Sequence, residues 1–190
     1  MFKLVVGLGN PGKAYLNTRH NIGAEFAAQL AFKYALNLKL NNKFHGFVAD
    51  WSVNNSDGKL LVPNTFMNLS GAAVAAVANF YKILPEHILI AHDELDLPVG
   101  AVRLKQGGGT GGHNGLRDIC AKLGGKDFWR LRLGIGHPGH SSQVSNYVLS
   151  KPPISEQEIL QTSIEQVLAC WTQIASGEIS SVMQILHSKK

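Results

Sequence analysis

The sequence predicts an α/β protein: one domain over residues 1–190, a mixed, twisted β-sheet with helices on both faces. Three observations predict it. Short apolar runs alternate along the chain with stretches of helical period. Two of the runs are joined by a turn rich in Asn, Asp and Gly, which makes a hairpin and so a sheet that is not purely parallel. No repeat, low-complexity stretch or linker divides the 190 residues, a length that suits one domain. Apolar residues are 45% and charged residues 16%, a composition that can bury a core.

Each element follows from its residues. Positions 3–8 are a short apolar strand closed by Gly7, Gly9 and Gly12. Asn21 can cap a helix with Ile22, Phe26, Leu30 and Tyr34 on one face. Positions 44–53, aromatic and β-branched, read as a strand; 54–58 are turn formers; 59–62 return as its hairpin partner. Positions 69–84 are an alanine-rich helix that Pro85 ends. Strands follow at 88–91 and 99–105, then a glycine-rich loop, a short helix at 116–123 and a strand at 129–135. In that strand Arg130 and Arg132 share one face, and Trp129, Leu131 and Leu133 the other. Ser155 and Glu158 form a capping box for a helix running to Trp171, and a last short helix follows Gly177.

Several classes are excluded. Residues 1–8 are too short and wrongly built for a signal peptide. Positions 60–81 carry no charge, but Pro63, Asn64, Thr65, Asn68, Ser70 and Gly71 interrupt them, so no spanning helix is expected. Cys120 and Cys170 sit among apolar residues with no CxxC pair and read as reduced thiols of a cytosolic protein. His137 and His140 flank a Pro-Gly turn, and no His/Cys grouping has metal-ligand spacing. The loop Gly7-Leu8-Gly9-Asn10-Pro11-Gly12 matches GxGxxG, yet no helix opens directly after it and no acid stands about twenty residues on. The cluster from Gly107 to Gly115 lacks the GK[ST] of a phosphate-binding loop.

Charge is unevenly placed. The formal net charge is +5, and the same excess lies within 101–132, where Arg103, Lys105, Arg117, Lys122, Lys126, Arg130 and Arg132 outweigh Asp118 and Asp127. Residues 86–96, just before it, hold four acids and no Lys or Arg. A basic field beside an acidic loop suits an anionic partner held next to a carboxylate. An unevenly charged, solvated surface has the same composition.

Polar residues gather after the strands. Asn10 follows the first, Asn68 the hairpin, Asp93 and Glu94 the strand at 88–91, and Asn114 closes the glycine loop. Ligands of α/β sheets bind beyond the carboxyl ends of strands, so these groups are expected on one rim. His20 is the one histidine on a loop expected to reach that rim from the first strand. Such a set supports hydrolysis without a covalent intermediate. A neutral imidazole takes a proton from water, a carboxylate fixes its tautomer, and carboxamides donate to the oxyanion. A nucleophilic Ser or Cys is disfavoured, because Ser70 is not in GxSxG and both thiols read as buried. Singly, each residue also has a plain structural use: His20 as a core histidine, the Asn residues as turn formers or caps, Asp93 as a turn cap.

Six blocks in order carry a resemblance: GLGNPG (7–12), NTRHNIG (17–23), NTFMNLSG (64–71), HDELDLPVG (92–100), GGGTGGHNGLRDI (107–119) and WRLRLGIGHPG (129–139). With KPP at 151–153, the chain resembles the bacterial peptidyl-tRNA hydrolase family. The resemblance implies cleavage of the ester between a peptide's carboxyl end and the 3′-terminal ribose of tRNA, by a cytoplasmic monomer with no metal or cofactor. It implies that His20 is the general base on water, that Asp93 keeps it basic, and that Asn10 recognises the acylated substrate and excludes free aminoacyl-tRNA. Asn68 and Asn114 would hold the peptide and the 3′ end. Tyr15, Phe66 and Met67 would line the contact with the terminal nucleotide or peptide, and Lys105 and Arg132 would hold tRNA phosphate. Two positions depart from the family pattern: Thr110 stands where His is common, and Val62 where Lys often precedes the proline. Two rival functions remain to be weighed. One is a nucleotide-dependent enzyme using residues 7–12; the other is a non-catalytic RNA-binding module using residues 103–132.

Overall fold

In the computed structural model, which describes residues 1–187, seven strands form one sheet in the order β2-β3-β4-β1-β5-β7-β6. They are β1 (Leu4–Gly7), β2 (Lys39–Asn41), β3 (Gly46–Val53), β4 (Ser56–Pro63), β5 (Ile88–Glu94), β6 (Val102–Gln106) and β7 (Trp129–Gly134). The four central strands β4, β1, β5 and β7 run parallel, so their carboxyl ends share one rim. β3 runs antiparallel to its neighbours β2 and β4, and the edge strand β6 runs antiparallel to β7. The mixed sheet expected from the hairpin is therefore present.

Helices cover both faces. α1 (Ile22–Lys33), α5 (Ile154–Ala169), α6 (Trp171–Ser176) and α7 (Ile179–His187) contribute to the core layer that holds Phe26, Trp51, Leu89, Leu131 and Trp171. α2 (Ser70–Tyr81) and α3 (Asn114–Leu123) bury the layer of Val6, Leu8, Val74, Ile90 and Phe128. α4 (Val144–Val148) is a short helix beside the strand ends. No helix among the described residues is long and apolar enough to cross a membrane.

The GxGxxG look-alike is explained by packing. A Cβ on Gly7 would come within 2.3 Å of the Gly23 carbonyl oxygen, and one on Gly23 within 2.2 Å of that of Ala91. The first turn of α1 thus rests directly on the ends of β1 and β5. Two 3-10 turns, Lys13–Tyr15 and Arg19–Asn21, separate the loop from α1, so no helix N-terminus faces the loop as a pyrophosphate site requires.

Other boundaries differ from the sequence reading. The hairpin turn is only Asn54-Asn55, both at positive φ (48° and 61°), as a tight two-residue turn requires; Ser56, Asp57 and Gly58 belong to β4. α2 ends at Tyr81, capped by Lys82 in a left-handed conformation, and Pro85 instead opens a 3-10 turn. Ser155 lies inside α5, whose N-cap is Pro153, so the expected capping box is not formed. The helix expected to reach Trp171 breaks at Cys170, and α4 and β2 carried no clear period in so few residues. Cys170 is buried and Cys120 half-buried, both free.

Candidate active site

A cleft of about 920 Å³ opens over the carboxyl rim of the parallel strands. Asn10, His20, Phe66, Met67, Asn68, Asp93 and Asn114 all line it. These residues lie on five separate stretches of chain.

Asp93 sits at the floor, 4% exposed, near the end of β5 and within the strand, not in the loop beyond it. His20 lies in a 3-10 turn (Arg19–Asn21) just before α1 and is itself buried. Its Nδ1 lies 2.9 and 3.0 Å from the two carboxylate oxygens of Asp93. A second imidazole meets the same carboxylate: His113 Nε2 is 3.0 Å from Asp93 Oδ1. The expectation of one histidine at this rim is thus corrected to four, since His92 and His137 also line the cleft.

Hydrogen-bond accounting assigns the tautomers. His113 is the N-cap of α3, and its Nδ1 accepts from the Leu116 N–H at 3.3 Å. The ring proton of His113 is therefore on Nε2, donated to Asp93. An ionised carboxylate only accepts, so His20 also donates, from Nδ1. His20 Nε2 is left as a lone pair at the cleft. His92 Nδ1 donates to the Asp93 main-chain oxygen at 2.7 Å, and its ring stands edge-on to that of His113.

The charges agree with this arrangement. Burial disfavours the His20 cation, but the charge and hydrogen bond of Asp93 outweigh it and raise the pKa above 6.5. Burial likewise opposes the Asp93 anion, yet His20 and then His113 hold its carboxyl far below the usual range. His92 is pushed down to about 3, first by burial and then by the neighbouring His113 charge, so it is neutral at pH 7.

His20, Asp93 and His113 place three potential ligand atoms within 4.8 Å of one another. Donor atoms around a tetrahedral zinc, each about 2.0–2.1 Å from the ion, lie about 3.3 Å apart. The 2.9–3.0 Å separations here are N–H···O lengths, with protons between the atoms. The cluster is built to hold protons.

Asn10 is clamped. Its N–H donates to Asn21 Oδ1 at 2.8 Å and its carbonyl accepts from Asn21 Nδ2 at 2.9 Å. Asn21 precedes α1 as expected, but its side chain serves Asn10 and makes no capping bond. Asn10 Oδ1 accepts from the Met67 N–H at 2.7 Å, so the face left to a ligand is the Nδ2 donor. Asn68 is exposed in the 3-10 turn before α2, and the start of α2 is held from α3: Asp118 Oδ2 accepts from the Gly71 N–H at 2.7 Å. Asn114 opens α3 and is exposed.

The route of the glycine loop was not expected. Because β6 is antiparallel, Gln106 pairs with Trp129 at the rim opposite the cleft. The loop must cross the sheet face to deliver His113 and Asn114. Buried Arg130 holds it on the way, donating to the carbonyls of Gly108 and Gly109.

Three candidates stand outside the cleft lining. Tyr15 packs edge-on against Phe66 with ring centroids 6.2 Å apart, just beyond the lip. Lys105 is exposed on β6, and Arg132 pairs with Glu94 at 2.8 Å. Glu94, which the sequence left without a role, is the partner of that arginine and also lines the cleft. Met67 is buried at 4% exposure, its sulfur against Gly115, so its backbone N–H does more to order the site than its side chain. Arg117, Asp96 and His137 line the cleft unpredicted.

A profile of the peptidyl-tRNA hydrolase family matches residues 4–190. The chain belongs to the peptidyl-tRNA hydrolase family. The peptidyl-tRNA hydrolase of Pseudomonas aeruginosa is 54% identical over 189 residues, covering 99% of this chain and 97% of that protein. That of Yersinia enterocolitica is 52% identical, covering 99% and 96%. The crystal structure of peptidyl-tRNA hydrolase from Acinetobacter baumannii superposes with a TM-score of 0.94 at 48% identity, covering 97% of this chain and 94% of that one. The fold and the enzyme class expected from the motif blocks are those of this family.

Proposed function

We propose that the whole chain acts as one hydrolase domain, a cytoplasmic monomer that cleaves the ester joining a peptide's carboxyl end to the 3′-terminal ribose of tRNA. The observation that carries the reading is the His20 tautomer: Nδ1–H is committed to Asp93, and Nε2 faces the cleft with its lone pair. Nε2 takes a proton from water as the water oxygen adds to the ester carbonyl. Asp93 stabilises the imidazolium that forms. Asn68 and Asn114 carry exposed amides suited to donate to the developing oxyanion and to the peptide. The tetrahedral intermediate then expels the ribose oxygen, which takes the proton back from His20. An ester is already activated, so modest acid–base help suffices.

Asn10 supplies discrimination in this reading. With Oδ1 held by Met67, it can only donate, which suits the next carbonyl of an N-acylated chain. Free aminoacyl-tRNA offers an ammonium there, a donor facing a donor. Phe66 and Tyr15 present aromatic faces for the unpaired terminal base, and Met67 shapes the floor beneath it. Lys105 and Arg132, on the β6–β7 edge, meet tRNA phosphate, a contact that serves every tRNA alike.

Release of N-acyl amino acid from N-acyl-aminoacyl-tRNA tests this reading, with unblocked aminoacyl-tRNA as control. Cleavage of the first and sparing of the second is expected. His20→Ala should abolish cleavage while tRNA binding survives. Comparable turnover by His20→Ala and wild type would overturn the assignment and favour a non-catalytic RNA-binding module.

A further inference from the structure

The residue before His20 in its 3-10 turn is Arg19, whose exposure is 6%. A buried cation is costly unless its donors are matched, so its partners show what it holds. One is Glu156 on α5, whose Oε2 accepts from Nη2 at 2.8 Å. The rest belong to one short segment. Nη1 donates to Ser150 Oγ at 2.8 Å and to the Tyr147 main-chain oxygen at 3.4 Å. The guanidinium carbon lies 4.1 Å from the centroid of the Tyr147 ring. The Arg19 backbone N–H donates to the Ser150 carbonyl at 3.2 Å.

That segment is α4 and the turn after it, and its Val144, Ser145, Val148 and Leu149 form one wall of the cleft. Five residues are too few to keep a helix folded alone, so the place of α4 depends on what ties it down. Further ties are Tyr147 Oη, which donates to the Ile135 carbonyl at 2.5 Å just past β7, and Val148, which is buried in the core. Arg19 therefore joins this wall of the cleft to the turn that carries His20.

We propose that Arg19 is a positioning residue that sets the apolar wall at residues 144–149 at a fixed distance from His20. The proposal rests on the hydrolase reading above and adds that the peptide, beyond its last residue, lies against this wall. Arginine suits the task because its planar fork meets Ser150 and Glu156 with separate nitrogens while its face lies on Tyr147. A lysine ammonium cannot do both. Arg19 touches none of the reacting atoms and acts through the wall.

The test compares Arg19→Lys and Ser150→Ala with wild type on N-acetyl-aminoacyl-tRNA and on an N-acetylated tripeptidyl-tRNA. For the tripeptidyl substrate KM should rise about fivefold with kcat within about twofold; for the short substrate both should change little. The double variant should be no worse than Arg19→Lys alone, the mark of one shared interaction. Amide hydrogen exchange over residues 144–150 should quicken in each variant. Equal effects on both substrates, or unchanged exchange there alongside a lowered Tm, would reduce Arg19 to a general stabiliser and overturn the proposal. If Arg19→Lys fails to fold, Ser150→Ala, which alters an exposed hydroxyl, carries the same comparison. If wild type cleaves neither substrate, the hydrolase reading fails, and the exchange measurement alone decides what Arg19 holds.

Discussion

Replacing Asp93 by Asn removes one charge from the floor of the cleft and little volume. Asp93 Oδ1 accepts from both His20 and His113, so an Asn carbonyl can keep those two contacts; the charge is lost, and the amide Nδ2 replaces the oxygen that also accepts from His20 Nδ1 at 3.0 Å. At about 4 Å and an effective dielectric near 20, a carboxylate stabilises an imidazolium by about 4 kcal/mol. The imidazolium is fully formed only as water attacks, so the loss falls on the transition state. At about 1.4 kcal/mol per tenfold, kcat should drop about 10³-fold with KM little changed. The pH profile gives a second, independent readout. In the proposed mechanism His20 is a neutral base, so activity should fall as pH drops through its pKa, which Asp93 holds above 6.5. In Asp93→Asn, burial of His20 is no longer opposed, and the acid limb should move to lower pH. The assay is single-turnover release of N-acyl amino acid between pH 5 and 8. A rate within tenfold of wild type and an unmoved acid limb would refute this reasoning and point to Glu94 or Asp96 as the true partner.

Further outcomes follow from other parts of the structure. Lys105→Ala should raise KM, leave kcat near wild type and make the log–log salt slope shallower by about one; an unchanged slope would deny the phosphate contact. Gly23→Ala would press a Cβ to 2.2 Å from the Ala91 oxygen and 2.8 Å from the Leu8 nitrogen, both backbone. It should lose about 3 kcal/mol of stability in urea titration, and an unshifted midpoint would mean that α1 is free to move off the sheet. His92 has its folded pKa lowered to about 3 from 6.5, so the unfolded chain binds the extra proton. Its contribution to stability is present above pH 6.5 and is lost as pH falls toward 3. Tm should therefore fall between pH 7 and 4, and by less in His92→Gln, which keeps a donor for the Asp93 oxygen. An equal fall in both would place the acid sensitivity elsewhere.

Much of the site was legible because parallel strands deliver their following residues to one rim. Asn10, Asn68 and Asp93 come from three such strands, and all line the cleft. Asn114 reached it by another route. Its strand runs antiparallel, which no local pattern reveals, and the loop is led across the sheet by Arg130. His113 was hidden inside the glycine block, although a histidine just before a helix start, at the end of a glycine-rich loop, was the available signal. Asn21 looked like a helix cap, a local use, and proved to be a long-range clamp on Asn10.

The sequence by itself determined the α/β class, the alternation of elements, the concentration of positive charge and the motif blocks that mark the family. Those properties are periodic, compositional or contiguous, and each can be read over a short window of chain. Only the tertiary structure decided which proton sits where. The Asp93 carboxylate takes one hydrogen bond from a residue 73 positions away and another from one 20 positions away, and the Leu116 N–H fixes the tautomer of the second. The basic stretch was divided in the same way: Arg130 holds a loop, Arg132 pairs with Glu94, and Lys105 is exposed. Charge counts add along a chain, whereas the partner of each charge is set by distance in the folded state.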